Sequence, residues 1–388
     1  MPQLPEDEAY LQRALELARQ SAGMASPNPT VGCLLVRGDD VLGAGAHDYD
    51  AFDHAEIAAL KHAGQRGLDL HGATAYVTLE PCSHHGRTGP CADALIAAGI
   101  ARCVVAALDP NPQVSGSGLA KMRAAGIVVD VLNRASALAH EARRINDAFA
   151  FSITRGRPFV TLKAALSVDG MLAPPTALRK AGAPHWLTGE AARADVQHLR
   201  HAHDAILTGI GTVLADDPLL TDRSGLERRR PLLRVVLDSD LRTPLESAIV
   251  RSAQDDLLVV CHPFAPTEKE TALRERGADV LRINGEAGRP QLDAVLEELD
   301  HRKLNSVMIE SGTGVNGALL SANLVDKVVL YFAEAELGAD AVGFATGGVS
   351  PYELQQRLTR LERQAYAHGS GEDVRVSGYL HDPWARAS

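Results

Sequence analysis

The stretch Thr78-Leu79-Glu80-Pro81-Cys82-Ser83-His84-His85-Gly86-Arg87-Thr88-Gly89-Pro90-Cys91, read together with His54-Ala55-Glu56, decides what kind of protein this is. Between them the two segments offer one imidazole, two thiols and a carboxylate that need not be a ligand. A catalytic zinc takes three protein ligands of that kind and leaves a fourth position for water, whose pKa falls to roughly 7 once bound. His54, Cys82 and Cys91 are the expected ligands of one Zn2+ per chain. Both segments read as strand-to-helix junctions, where a helix N-terminus favours thiolate over thiol. Competing accounts exist for each segment taken alone. Asp53 and Glu56 have the spacing of a capping box, and a free cysteine is usually a small buried hydrophobe. The conjunction of the two segments favours the metal.

Outward from these segments, apolar periodicity predicts a helix over 7–22, a hairpin from strands 31–36 and 41–44, a strand at 74–79 and a helix at 91–98. A strand at 103–108, a helix at 119–125 and a strand at 127–132 follow. Such alternation predicts an α/β fold with a largely parallel sheet and a site at the carboxyl ends of its strands. The segment 146–158 reads as a boundary, dividing the chain into domains 1–146 and 147–388. Beyond it, strands at 159–163, 205–207, 232–237, 257–260, 280–283, 307–310 and 327–332 alternate with helices such as 190–200, 268–276 and 292–301, predicting a second α/β domain. There Gly312-Thr313-Gly314-Val315-Asn316-Gly317 follows a strand and opens a helix at 318–323, a turn that lets backbone N–H groups approach a pyrophosphate. It sits late in its domain, so a glycine-rich turn without a cofactor is the competing account. Arg228-Arg229-Arg230 reads as a solvated loop rather than a phosphate site.

The chain has 388 residues and 45% hydrophobic content, enough for two ordinary domains. No apolar run approaches the ~18 residues of a membrane helix, and residues 1–8 are acidic rather than a signal peptide, so no membrane partner and a cytoplasmic location are expected. Five scattered cysteines suit metal and core use rather than a disulfide framework. A formal net charge of −10 argues against nucleic acid, which requires a basic surface, and for a small-molecule substrate.

Several motifs together resemble one family. Ser26-Pro27-Asn28-Pro29-x-Val31-Gly32, His54-Ala55-Glu56, the stretch from Thr78 to Cys91, and Asp109-Pro110-Asn111-Pro112-x-Val114 look like the deaminase half of the bifunctional riboflavin-biosynthesis deaminase/reductases. The eight residues between Cys82 and Cys91 are the specific part, since cytidine and tRNA-adenosine deaminases carry a shorter spacing. Lys163-x-Ala165-x-Ser167-x-Asp169-Gly170, Trp186-x-Thr188 and the run from Asp204 through Gly209, Gly211, Asp216, Pro218 and Thr221 to Arg223 resemble the reductase half. The match spans nearly the whole chain.

This resemblance implies an N-terminal cytidine-deaminase-like α/β/α domain and a C-terminal dihydrofolate-reductase-like α/β domain. It implies hydrolytic deamination of 2,5-diamino-6-(5-phosphoribosylamino)pyrimidin-4-one, then NADPH-dependent reduction of the ribose to a ribityl chain. Glu56 would be the general acid/base, as in zinc deaminases. Asn28, His47, His84, Arg87, Asp109 and Asn111 would line the deaminase pocket. NADPH would lie near Ala165, Trp186, Thr212, Asp216, Ser239 and the turn Gly312, Thr313, Gly314, Val315, Asn316, Gly317, Ala318. The reductase substrate would meet Pro184, Arg200, Leu220, Arg223 and Glu310. A homo-oligomer is expected. The chain departs from the family pattern at Ser117, at Pro184 with the longer 174–185 segment, and at Ala333-Glu334-x-x-x-Gly338. Two other readings are a nucleic-acid-base deaminase with an appended domain, and a deaminase whose second domain is a non-catalytic ligand-binding or oligomerising module.

Overall fold

Cys33, Leu34, Leu35 and Val36 are all buried, on both faces of strand β1 (Gly32–Arg37), which is the burial of a strand covered from both sides. The computed structural model describes residues 5–84, 89–111, 114–179, 185–369 and 371–385. Two compact units emerge: Met1–Gly156 with Glu227–Arg230 and Trp384–Ser388, and Arg157–Leu226 with Pro231–Pro383. The sequence reading ended the first domain at 146, but the helix Asp147–Arg155 belongs with the first unit. Its Asp147 carboxylate accepts the Trp384 indole N–H at 3.0 Å.

In the first unit, β1, β2 (Asp40–Ala46), β3 (Thr74–Val77), β4 (Arg102–Val105) and β5 (Val128–Val131) form one sheet in the order β2-β1-β3-β4-β5. Only β3, β4 and β5 run parallel, while β1 pairs antiparallel with both β2 and β3. The sheet is therefore mixed, where the alternation suggested a largely parallel one. The physical reason is the Arg37–Asp40 hairpin, because a short connection can only join antiparallel neighbours. The helix Ala55–Gln65 packs directly on β2, where a Cβ at Gly45 would stand 2.4 Å from Ala59 N. Glycine there lets the helix bearing Glu56 lie close against the sheet.

The second unit holds a nine-stranded sheet. Its strands are β6 (Phe159–Ser167), β8 (Ala205–Gly209), β9 (Leu233–Leu237), β10 (Leu257–Cys261), β11 (Ala278–Arg282), β12 (Ser306–Ile309), β13 (Lys327–Ala333), β15 (Thr359–His368) and β16 (Gly371–Tyr379). The order is β11-β10-β9-β8-β12-β6-β13-β16-β15, with β7 (Met171–Ala173) and β14 (Val342–Gly343) pairing apart. The strands from β11 to β13 are parallel and the last two antiparallel. The chain moves outward from β8 to β11 and then returns to insert β12 between β8 and β6. That reversal opens a crevice at the carboxyl ends of these strands, the place where such sheets bind ligands. The β15–β16 hairpin had no counterpart in the sequence reading. Most of β15 is exposed and polar, so it carries no apolar alternation to detect.

Candidate active sites

Pro81 and Cys82 lie just beyond the carboxyl end of β3, Cys91 opens the helix Cys91–Ala97, and His54 is the N-cap of the helix Ala55–Gln65. His54 Nδ1 stands 3.5 Å from Cys82 Sγ and 3.3 Å from Cys91 Sγ. All three ligand atoms lie within 4.8 Å of one another, and no other such group occurs among the described residues. One imidazole nitrogen and two sulfurs, on rigid element ends, fit a zinc ion with a fourth position open. The Cys91 thiol and backbone N–H, with His54, face the Cys82 sulfur and draw its pKa well down.

Glu56 is only 3% exposed, and burial, reinforced by the Cys82 thiolate, pushes its carboxyl up to about 7. A group poised there can both take and give a proton at neutral pH. The capping box does not form. The N-cap is His54 without a side-chain cap bond, and the Asp53 carboxylate is held instead by Lys61 at 2.7 and 2.8 Å. Glu56 is therefore not engaged in a capping box with Asp53, and its carboxyl faces Cys82 and Cys91.

His47 lies edge-on to His54 with ring centroids 5.2 Å apart, and Asn28 Nδ2 stands 3.2 Å from His47 Nε2. The other His47 nitrogen is 2.8 Å from the Asp53 carbonyl, which fixes the ring. Past β4, Asp109 Oδ1 accepts the Asn111 backbone N–H at 2.8 Å, and burial pushes the Asp109 carboxyl up to about 6. His84 is exposed, and its charge favours the Asp109 carboxylate. Arg87 lies outside the described residues. Ser117 bonds the Ser83 hydroxyl at 2.6 Å, so this departure from the family pattern joins the segment after Cys82 to the start of the helix Ser117–Ala124.

In the second unit a cavity of about 940 Å³ opens at the carboxyl ends of β6, β8 and β12. Gly312, Thr313, Gly314, Val315 and Ala318 line it from the helix Thr313–Ser321, which begins five residues earlier than the helix at 318–323 expected from sequence. Thr212 and Asp216 line it from the helix after β8, joined by Ala165, Trp186 and Ser239. Asn316 and Gly317 do not. Asn316 is buried, bonding Ser311 and the Phe344 carbonyl, and a Cβ at Gly317 would stand 2.1 Å from Thr346 Oγ1. Glycine here lets the helix sit against that neighbour, and its N-terminal N–H groups suit a pyrophosphate, so the cavity fits a dinucleotide.

Arg200, Leu220 and Glu310 line the same cavity. Burial alone would raise the Glu310 carboxyl, but Lys163 and Arg200 beside it hold it down to about 2. Arg200 also donates to the Thr221 carbonyl at 2.9 Å. Arg223 is exposed and does not line the cavity, although burial and the Arg200 charge both lower its pKa. Pro184 lies outside the described residues, as do its neighbours from 180 to 183.

Residues 4–107 match the cytidine and deoxycytidylate deaminase zinc-binding region, and residues 158–369 match the RibD C-terminal domain. The riboflavin biosynthesis protein RibD of Escherichia coli K12 is 40% identical over 352 residues, covering 88% of this chain and 91% of that protein. This chain belongs to the RibD family. The RibD protein of Actinobacillus pleuropneumoniae is 37% identical over 91% of this chain and 90% of its own length. Among solved structures, Acinetobacter baumannii RibD superimposes with a TM-score of 0.79 at 35% identity, covering 96% of this chain and 99% of that one. A Thermotoga maritima diaminohydroxyphosphoribosylaminopyrimidine deaminase/5-amino-6-(5-phosphoribosylamino)uracil reductase gives 0.78 at 30% identity over 96% and 98%. RibD proteins are bifunctional enzymes of riboflavin biosynthesis, and both their deaminase and reductase parts are present here, with Zn2+ and NADPH as cofactors.

Two residues of this chain were absent from the sequence-derived site. Lys163 lines the cavity with its ammonium 3.5 Å from Glu310 Oε2. Its signal was available: a lone charge inside the apolar strand β6. Glu80 is buried, and its Oε2 accepts the N–H groups of Asp109 at 3.3 Å and Gly116 at 2.9 Å, pinning both ends of the loop that carries Asn111. A glutamate ending a buried strand was the hint there.

Proposed function

We propose that the first unit deaminates 2,5-diamino-6-(5-phosphoribosylamino)pyrimidin-4-one and that the second reduces the ribose of the resulting 5-amino-6-(5-phosphoribosylamino)uracil. The observation carrying this reading is the buried Glu56 carboxyl beside one imidazole and two thiols whose ligand atoms lie within 4.8 Å of one another. His54, Cys82 and Cys91 would hold a zinc ion, which would supply a water acidic enough to be ionised near neutrality. Glu56 takes the proton given up there and delivers it to the departing amine, so ammonia leaves and a carbonyl remains. Asn28, His47, Asp109 and Asn111 hold the pyrimidine edge, with Asp109 as an acceptor for its amino N–H groups. Arg87 and His84 are assigned to the phosphate end.

In the second unit Gly312–Gly314 with Ala165, Trp186, Thr212, Asp216 and Ser239 would hold NADPH, which would supply a hydride. Lys163 donates a proton to the ribose oxygen as the carbon is reduced. Glu310 pairs with that ammonium and orients it, and Arg200 locks Glu310 in place. Leu220 covers the apolar side, and the exposed Arg223 is the cation assigned to the substrate phosphate. Pro184, lacking the hydroxyl and N–H of the family's serine, is expected to raise the KM of this step rather than abolish it.

A cytoplasmic homo-oligomer is part of the proposal. All five cysteines are free, as suits a reducing compartment, and no described helix is long and apolar enough to cross a membrane. Light scattering on the purified chain measures the oligomer. The reaction itself is tested by metal analysis with mass spectrometry of the products, with and without NADPH. One zinc per chain, a deaminated product without NADPH and a ribityl product with it are expected. If the chain neither binds NADPH nor oxidises it when given the deaminated product, the assignment of reduction to the second unit fails.

A further inference from the structure

Residues Glu227–Arg230 fall within the second half of the sequence but belong to the first compact unit. The run Arg228-Arg229-Arg230 is thus not the solvated loop its charge suggested. The Arg229 backbone N–H donates to the Gly23 carbonyl at 3.0 Å. Its Nε and Nη2 both donate to the Ser26 carbonyl, at 3.2 and 2.9 Å, and Nη1 reaches Asp50 Oδ1 at 3.4 Å. The guanidinium also lies over the Tyr49 ring, 4.4 Å from its centroid, with a side chain only 16% exposed. Arg230 adds a bond to the Ser26 hydroxyl at 3.0 Å.

The two segments joined in this way are those that present Asn28 and His47. Ser26 precedes Asn28 by two residues, Tyr49 follows His47 by two, and the two side chains meet 3.2 Å apart beside His54. One planar fork therefore spans the turn on one side of the pocket and the loop on the other. Only arginine combines divergent donors with a flat face that stacks on an aromatic ring.

We propose that Arg229 is a positioning residue of the deaminase: it sets the spacing of Asn28 and His47, and so substrate affinity, without touching substrate. This rests on the assignment of Asn28 and His47 to the substrate pocket. A chain must continue past residue 226 to possess the clip.

The test measures zinc content, melting temperature, and kcat and KM for deamination in the full chain, for wild type, Arg229→Ala, Arg229→Lys and Asn28→Ala. In Arg229→Ala, KM is expected to rise about tenfold with zinc retained and kcat within a few-fold, since misplaced binding groups lose orientation. Arg229→Lys keeps the cation over Tyr49 but not the fork, so its KM should fall between. A purely structural arginine would lower the melting temperature without separating KM from kcat. An unchanged KM in Arg229→Ala, beside a raised one in Asn28→Ala, overturns the clip alone. An unchanged KM in Asn28→Ala overturns the pocket assignment and the clip with it. Unfolding or zinc loss with both Arg229 substitutions places the residue in the scaffold and also overturns the proposal.

Discussion

Arg200 and Glu310 form a two-pronged ion pair, Nε to Oε1 at 2.8 Å and Nη2 to Oε2 at 3.1 Å, with only 9% and 14% of their side chains exposed. Lys163 completes the cluster from β6. Glu310→Gln would leave two cations facing a neutral amide. Breaking such a buried pair costs about 3 kcal/mol, so the melting temperature should fall and ribose reduction should be lost, while deamination and zinc content stay at wild-type levels. Because the Glu310 pKa is depressed to about 2, its stabilisation is fully present above its unfolded value, about 4.3. That stabilisation is lost as pH falls from there through 2. The melting gap between wild type and Glu310→Gln should therefore be full at pH 7 and narrow below about pH 4.3.

Glu56→Gln keeps the shape of the side chain and removes its proton chemistry. Zinc should remain at one per chain, and deamination should fall by roughly 10² to 10⁴ or more, as for a general acid/base serving twice. No capping-box penalty is expected, because the helix's N-cap is His54, which makes no side-chain cap bond, and Asp53 is paired with Lys61. Metal analysis and single-turnover kinetics on the same preparation separate the two effects. Near-normal turnover would remove Glu56 from the chemistry.

Cys82→Ser replaces a sulfur within 3.5 Å of the His54 nitrogen by a poor zinc ligand. Zinc content and deamination should both collapse. NADPH-dependent reduction of separately supplied deaminated product should continue, since the described residues lining the cavity all belong to the second unit. Full zinc occupancy in this variant would exclude Cys82 as a ligand.

Asp109 carries a pH dependence of its own. Its carboxyl is pushed up to about 6 by burial, so it is largely neutral at pH 5 and ionised at pH 7.5. Only the ionised form is a pure acceptor for substrate N–H groups. kcat/KM for deamination should fall as pH drops through 6, and Asp109→Asn should lose that inflection. The stability sign is opposite: a carboxyl with a raised folded pKa stabilises most below its unfolded value, about 3.9, and this contribution is gone once pH has risen through 6. Asp109→Asn should therefore gain stability relative to wild type at pH 7.5 compared with pH 5, in paired thermal melts.

The sequence by itself displayed the donor set of the candidate zinc site and the class of both halves. His54, Glu56, Cys82 and Cys91 are legible because a metal demands particular donor atoms, and element ends announce themselves through local periodicity and turn residues. The turn from Gly312 to Gly317 is legible for the same local reason, although only packing showed that Asn316 and Gly317 face away from the cavity, toward Phe344 and Thr346. Tertiary structure alone decided what depends on contacts between distant segments. Lys163 became part of a site only when the return of β12 beside β6 set Glu310 next to it. Arg229 lies some 200 residues from Ser26, and no local signal in a run of three arginines says which carbonyl it will grip. Periodicity and spacing are properties of neighbours in the chain. Pairing of charges across a fold is set by which strands lie side by side, and a single sequence does not display that order.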